Sequence, residues 1–160
     1  MKKLLTVMTL GVTMISSDIS WAVSTATGSQ GQSISVKSAA AKSGQEIRIT
    51  GRGFDETIGI YLAYCVKPKK GAAPSPCGGG ADMSGTEGVS HWISSNAPTY
   101  GKGLATAFTP GGRFSQSVKV TKKIGNFDCT KVICAITVRS DHLHAGDRTH
   151  DLFIPIKITK

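Results

Sequence analysis

The sequence predicts an all-β sandwich of about seven short strands, and three observations carry that prediction. Past the first 22 residues no segment sustains a 3.6-residue apolar period. Short runs alternating polar with apolar residues recur instead, separated by turns rich in Gly, Pro and Ser. All four cysteines (Cys65, Cys77, Cys129 and Cys134) lie among these runs, an even number suited to disulfides in an exported chain.

At the start of the chain, Lys2 and Lys3 precede a mostly apolar run from Leu4 to Ile15. Ser20 and Ala22 then put small residues where signal peptidase reads them. The run falls short of the roughly 20 residues a membrane span needs. Residues 1–22 are therefore expected to be a cleaved signal peptide, and the protein to be periplasmic or extracellular. Ser24 to Gln32 carries no large apolar residue, so 23–32 reads as a flexible lead-in. Residues 33–160 then form one domain, with no second linker and no internal repeat.

Within that domain, Ser33–Val36 and Glu46–Thr50 alternate polar with apolar, and Gly51-Arg52-Gly53 ends the second run. Ile58–Val66 is longer and rich in β-branched and aromatic residues. Leu104–Phe108 runs into the turn Pro110-Gly111-Gly112. Phe114, Val118 and Val120 mark the next strand, and Val132–Val138 and Leu152–Ile158 the last two. Alternation of this kind puts one face of each strand in a core and the other in water.

Charge narrows the partners. The full chain carries +9, and loss of Lys2, Lys3 and Asp18 with the first 22 residues leaves +8. Lys and Arg are dispersed singly or in pairs, with no basic run and no aromatic interleaving. That pattern argues against a specific nucleic-acid interface and fits loose attraction to anionic envelope material.

Four cysteines allow three connectivities, of which the economical one joins sequence neighbours, Cys65 with Cys77 and Cys129 with Cys134. A four-thiolate zinc site is disfavoured, because such sites bring cysteines in pairs two to four residues apart.

The strand "YLAYC", the Gly/Pro loop to Cys77 and the segment "DCTKVICAITV" together resemble the neocarzinostatin family of chromoproteins. Gly51-Arg52-Gly53-Phe54 also matches the step that precedes the family's first cysteine, and Asp128-Cys129 with Cys134 matches its second pair. The resemblance spans about Ser33 to Lys160. It implies an immunoglobulin-like, seven-stranded β-sandwich or barrel with neighbour-paired disulfides, and a cleft beside them that in the family holds an apolar enediyne chromophore. This chain departs from the family in its long insert from Gly78 to Gly101, in its Pro-Gly-Gly turn and in a charged, His-rich segment before the last strand. The fold is carried forward, and the ligand is left open.

That segment, Arg139 to Asp151, holds three Asp, three His and two Arg in thirteen residues. It supports three readings. In one, Asp and Arg order a long loop while the His are solvated. In another, His142, His144, Asp141 and Asp147 bind a transition metal, since imidazole with carboxylate suits zinc, copper or nickel. In the third, Arg139 and Arg148 grip an anionic group beside Trp92 and Tyr100. Haem held by Tyr61, Tyr64, Tyr100 or His91 is a further expectation without an attachment motif. No nucleophile elbow, HExxH, P-loop or Rossmann signature is present. The expected protein is a binding module and not an enzyme. It takes a small molecule or envelope component in a cleft among the Cys65–Cys77 loop, the 78–101 insert and the 139–151 loop. The alternatives are a metal- or haem-binding protein using the 139–151 loop and a secreted factor that recognises another protein.

Overall fold

The structure is a computed structural model that describes residues 23–78 and 88–160. The expected signal peptide lies outside the described residues, as does the middle of the 78–101 insert. Among the described residues no helix is long and apolar enough to cross a membrane.

In chain order the strands are β1 (Ser24–Thr27), β2 (Ser33–Val36), β3 (Ala40–Lys42), β4 (Glu46–Arg52), β5 (Ile60–Val66), β6 (Ser90–Ile93) and β7 (Ala105–Thr106). They continue as β8 (Phe114–Lys119), β9 (Lys123–Ile124), β10 (Phe127–Asp128), β11 (Cys134–Ser140), β12 (Leu152–Pro155) and β13 (Lys157–Thr159). One sheet runs β1-β2-β4-β8 and is antiparallel throughout. The second runs β12-β11-β5-β6-β7, antiparallel except where β6 meets β7. The two sheets face each other across one core, to which the first sends Ile34, Val36, Ile47, Ile49, Phe114 and Val118. Ile60, Leu62, Tyr64, Ile136, Val138, Leu152 and Ile154 answer from the second. The all-β sandwich read from the sequence is the observed fold.

Alternation places most of these strands. In β4 the apolar Ile47 and Ile49 are buried, while Glu46, Arg48, Thr50 and Arg52 are exposed, so the strand has one dry and one wet face. The central pair β5–β11 is buried along most of both strands, as expected of strands flanked on each side in their sheet. The Leu152–Ile158 run divides at Pro155, which has no N–H to continue a ladder. Ile156 instead donates to the Cys134 carbonyl at 3.0 Å, and β13 pairs in parallel with β3.

Both disulfides join sequence neighbours, Cys65–Cys77 and Cys129–Cys134, and no cysteine is free. Closing the twelve-residue separation of the first contributes about 3 kcal/mol in the chain-entropy model.

Three expectations need correction. Residues 24–27 are not a flexible lead-in: they pair in full register with β2, Ser24 opposite Val36 through Thr27 opposite Ser33. Their small side chains suit an edge strand, with Ala26 packed against the core, and the buried Gln32 anchors the turn by donating to the Thr149 carbonyl at 2.7 Å. The second correction concerns the insert, which contributes a strand of its own, β6, laid against β5 with Trp92 opposite Tyr61. By contrast the expected Leu104–Phe108 strand shrinks to the two residues of β7.

Candidate functional site

The alternation that buries Ile60, Leu62 and Tyr64 turns Tyr61, Ala63 and Cys65 to the opposite face of the second sheet. On β11 the same face carries Ala135, Thr137 and Arg139, directly opposite Cys65, Ala63 and Tyr61. Trp92 on β6 and Phe153 on β12 flank this row, opposite Tyr61 and Thr137. Ala63, Cys65, Trp92, Ala135 and Thr137 are buried, and none of them belongs to the main core cluster. Small side chains thus run along the middle of the face between larger ones. One end of the row is closed by the Cys65–Cys77 disulfide.

The other end is aromatic. His142 begins a short 3₁₀ turn and reaches back over β5 and β6. Its Nδ1 is 2.6 Å from the Tyr61 hydroxyl and its Nε2 is 2.7 Å from the Tyr100 hydroxyl. A neutral imidazole has one N–H and one lone pair, so one hydroxyl would donate to the ring and the other accept from it. The Trp92 ring meets His142 edge-on at 5.0 Å, and Tyr100, 62 % exposed, stacks at 6.3 Å on Trp92. Burial raises the Tyr61 pKa, and the nearby Asp141 and Tyr100 push it the same way.

Beneath this cluster sits Asp141, fully buried. Its Oδ2 accepts the Trp92 indole N–H at 3.0 Å, and its Oδ1 accepts the Leu143 amide at 3.0 Å. His144 Nδ1 lies 3.3 Å from Oδ1. Gly59 makes the room: a Cβ there would meet Asp141 Oδ2 at 2.1 Å.

Much of the rest of the 139–151 loop is bonded within itself, although His150 Nε2 and Asp151 Oδ1 are buried without a hydrogen-bond partner. Asp147 Oδ1 accepts from the Thr149 amide and hydroxyl at 2.8 and 2.7 Å. Its Oδ2 faces His150 Nδ1 and the Ser140 hydroxyl, both at 3.1 Å. His150 is fully buried, which corrects the reading of three solvated histidines. Arg148 folds back onto Asp151 Oδ2 at 3.2 Å and the Ala145 carbonyl at 2.8 Å. Arg139, on β11, directs its Nε at the Ser140 carbonyl at 3.3 Å and lies near enough to act on Asp151 and Tyr61.

The structure therefore joins Trp92, Tyr100, Asp141 and His142, while Arg148 is bonded within its own loop and both Arg148 and Arg139 act on the Asp151 carboxylate. His142, His144, Asp141 and Asp147 do not converge: both nitrogens of His142 face hydroxyls, and Asp147 is held within its own loop. Among the described residues no group of three or more His, Cys, Asp or Glu side chains is placed to hold a metal. Tyr64, an expected haem ligand, is buried in the core, while His91 faces the Ser117 carbonyl at 2.7 Å. The sequence reading missed Tyr61 as the partner of His142. Its place opposite Arg139 and Trp92 was the available signal, and that requires the strand register.

Asp147 supplies a pH prediction. Burial pushes its pKa up, but the Thr149 amide and hydroxyl, His150 and Ser140 together hold it well below the ordinary carboxylate value. A depressed folded pKa contributes stability above the unfolded value, near 3.9, that is lost as pH falls through the folded one. Asp151 has the opposite sign, because burial raises it against the pull of Arg148. Its contribution is present at low pH and is lost as pH rises through its raised value. Asp147→Asn is expected to cost about 2 kcal/mol at neutral pH and to flatten the acid limb below pH ~4. Urea midpoints from pH 7 to 2 check this, and an acid limb as steep as wild type would refute the assignment to Asp147.

No protein-family model matches the sequence, and no curated protein matches it either. The structure is similar to the solved structure of macromomycin, with a TM-score of 0.50 at 14 % identity, over 80 % of this chain and 99 % of that one. The chain has the neocarzinostatin-like fold. In the neocarzinostatin-like fold seen here, the Cys65–Cys77 disulfide and the aromatic cluster stand at opposite ends of the β5–β11 ladder, seven residue pairs long. The Cys65–Cys77 loop and the 139–151 loop consequently do not face each other directly. The face between them is the row of small side chains.

Proposed function

We propose that this is an exported binding protein that holds a flat, largely apolar small molecule on the outer face of the β12-β11-β5-β6-β7 sheet. The observation that carries the reading is the row Ala63, Thr137 and Ala135, low between Tyr61, Trp92 and Phe153 and ending on the Cys65–Cys77 disulfide. A sheet face meant only for water would carry charged and long polar side chains there. The row is itself buried, so we read it as the floor of a trough-like site that a planar ligand enters beside the exposed Tyr100, its rings stacking on Trp92 and Tyr61. Asp141 fixes the indole, and Tyr61 with Tyr100 fixes His142, so the aromatic end is preorganised and little side-chain entropy is lost on binding. Likeness of fold to macromomycin supports a binding rather than a catalytic role. The chemistry of the described side chains also fits binding: the cysteines are paired, and the hydroxyls around His142 are its hydrogen-bond partners.

Trp92 is the single tryptophan of residues 23–160 and reports on the trough directly. Titration with 2-naphthol is expected to quench its fluorescence saturably, and Ala63→Leu, which fills the middle of the row, to abolish the quenching while the protein stays folded. Quenching by 2-naphthol that is undiminished in Ala63→Leu would refute the trough as the binding surface.

A further inference from the structure

The opposite side of the molecule carries a second hollow, unconnected with the aromatic cluster. It measures about 700 Å³ and lies where the crossover from β7 to β8 passes the outer face of the β1-β2-β4-β8 sheet. Strand register brings Ser35, Thr50 and Ser115 side by side across three strands, with Ser33 opposite Arg52 in the neighbouring row. Arg52 rises from β4, and Arg113 enters from the end of the crossover. The lining holds no Asp or Glu.

The two arginines are placed rather than loose. Arg52 Nε donates to the Ser33 hydroxyl at 3.2 Å, and that serine is itself buried, which leaves the outer N–H groups of the guanidinium to point elsewhere. Arg113 closes a tight turn through paired backbone bonds with Thr109, at 2.9 and 3.0 Å. Within the turn, Glu56 Oε1 takes the amides of Gly111 and Gly112 at 2.9 Å each, so that carboxylate oxygen is occupied by backbone. Arg48, next along the exposed face of β4, donates to Ser115 at 3.1 Å. Among the described residues none of the three guanidiniums has a carboxylate within ion-pair distance. Surface arginines on a folded protein commonly pair with acids or scatter. Here Arg52 and Arg113 line one hydroxyl-rich hollow with their charge unmatched, and Arg48 is bonded to Ser115 beside it.

We propose that this hollow binds an anionic saccharide. The guanidinium forks of Arg52 and Arg113 take its phosphate or carboxylate, and Ser33, Ser35, Thr50 and Ser115 exchange hydrogen bonds with its hydroxyls. A nucleotide fits less well, because the one aromatic of the lining, Phe114, is packed into the core and offers no face on which a base could stack. The net positive charge of the chain draws such a ligand towards the surface from any side, and the two arginines select where it stays.

The test is a set of amide chemical-shift titrations of the disulfide-bonded protein with glucose 6-phosphate, glucuronate, glucose and inorganic phosphate. Saturable shifts confined to β2, β4, β8 and residues 106–113 are expected with glucose 6-phosphate or glucuronate, whichever carries the preferred acid. The better of these should bind at least about fivefold more tightly than glucose and than inorganic phosphate. Arg52→Gln and Arg113→Gln are each expected to weaken it about tenfold, with thermal midpoints unchanged, since both side chains are exposed. Inorganic phosphate binding as tightly as the sugar acids would reduce the hollow to a patch of charge and overturn the proposal. So would shifts mapping to the trough on the other sheet, or affinities indifferent to both Arg variants. Neither the phosphate comparison nor the Arg variants bear on 2-naphthol binding at Trp92, and shifts at the trough would overturn this proposal while leaving that one standing, so the two fail separately.

Discussion

Gly112→Ala is expected to destabilise the protein by about 4 kcal/mol or more, near the upper end of what single substitutions do. Gly112 adopts a φ of +59°, a region in which a Cβ is disfavoured by about 1–2 kcal/mol. Most of the cost comes from what the Cβ would meet. It would lie 1.9 Å from the Phe54 carbonyl oxygen and 2.4 Å from the Phe54 nitrogen, and backbone atoms cannot rotate out of the way. Relief requires the 110–113 turn to part from the Gly53–Phe54 segment. That breaks the bonds from Gly53 N to Gly111 O and from Phe54 N to Gly112 O, at 3.0 and 3.2 Å. It also unseats Phe54, whose ring packs on Phe108 and Phe114 in the core. Gly111→Ala is the control. Its φ is +87°, but the added Cβ would approach only the flexible Arg113 side chain, at 3.4 Å. That variant should cost about 1–2 kcal/mol. Urea denaturation of both variants checks the contrast, and equal losses would mean that the turn and the Phe54 segment are not locked together.

The same turn shows what can be read from sequence and what cannot. Pro110-Gly111-Gly112 announces a turn by residue type alone, because two successive positive φ values demand glycine. What the second glycine leaves room for, the Phe54 backbone more than fifty residues away, belongs to tertiary structure. Strand positions followed the same division. Long alternating or β-branched runs such as Glu46–Thr50 and Ile58–Val66 became β4 and β5, since their pattern encodes burial directly. Ser24–Thr27 carries no such pattern and is a strand because β2 offers it an edge, so its signal lies in the partner.

The candidate site divides likewise. Trp92, Tyr100, Asp141 and His142 were each legible as unusual residues in unusual segments, but their grouping depends on the register of β6 on β5 and on the 3₁₀ turn after β11. Arg148 and Asp147 drew attention through their charge and prove to be the fasteners of their own loop. Conversely Arg48, Arg52 and Arg113 looked like dispersed positive charge. Two of them are four residues apart on one strand, and therefore on one face, while the third is delivered by a crossover that the sequence does not locate.

Asp141 is the residue on which the aromatic end of the trough depends, and its replacement should expose that dependence. Both carboxylate oxygens accept from fixed donors, the Trp92 indole on one side and the Leu143 amide on the other, in a site sealed from water. Asp141→Ala leaves both N–H groups buried without acceptors and opens a void beside Gly59. About 3 kcal/mol of lost stability is expected. Asp141→Asn is the more telling variant. It preserves volume, but an amide presents an acceptor on one side only, and its NH₂ must then face either the indole N–H or the Leu143 N–H, donor against donor. Asparagine should therefore cost nearly as much as alanine, whereas in a site tolerant of an amide it would be close to neutral. His144→Ala removes a partly exposed ring from the same carboxylate and should cost less than 1 kcal/mol. Trp92 fluorescence separates stability from positioning. In Asp141→Asn at low urea, where the protein remains folded, the emission should shift and 2-naphthol quenching should weaken, because the indole has lost the bond that fixes its angle against His142 and Tyr100. An Asn variant as stable as wild type, with unchanged quenching, would show that packing alone holds the indole and that the buried carboxylate has another purpose.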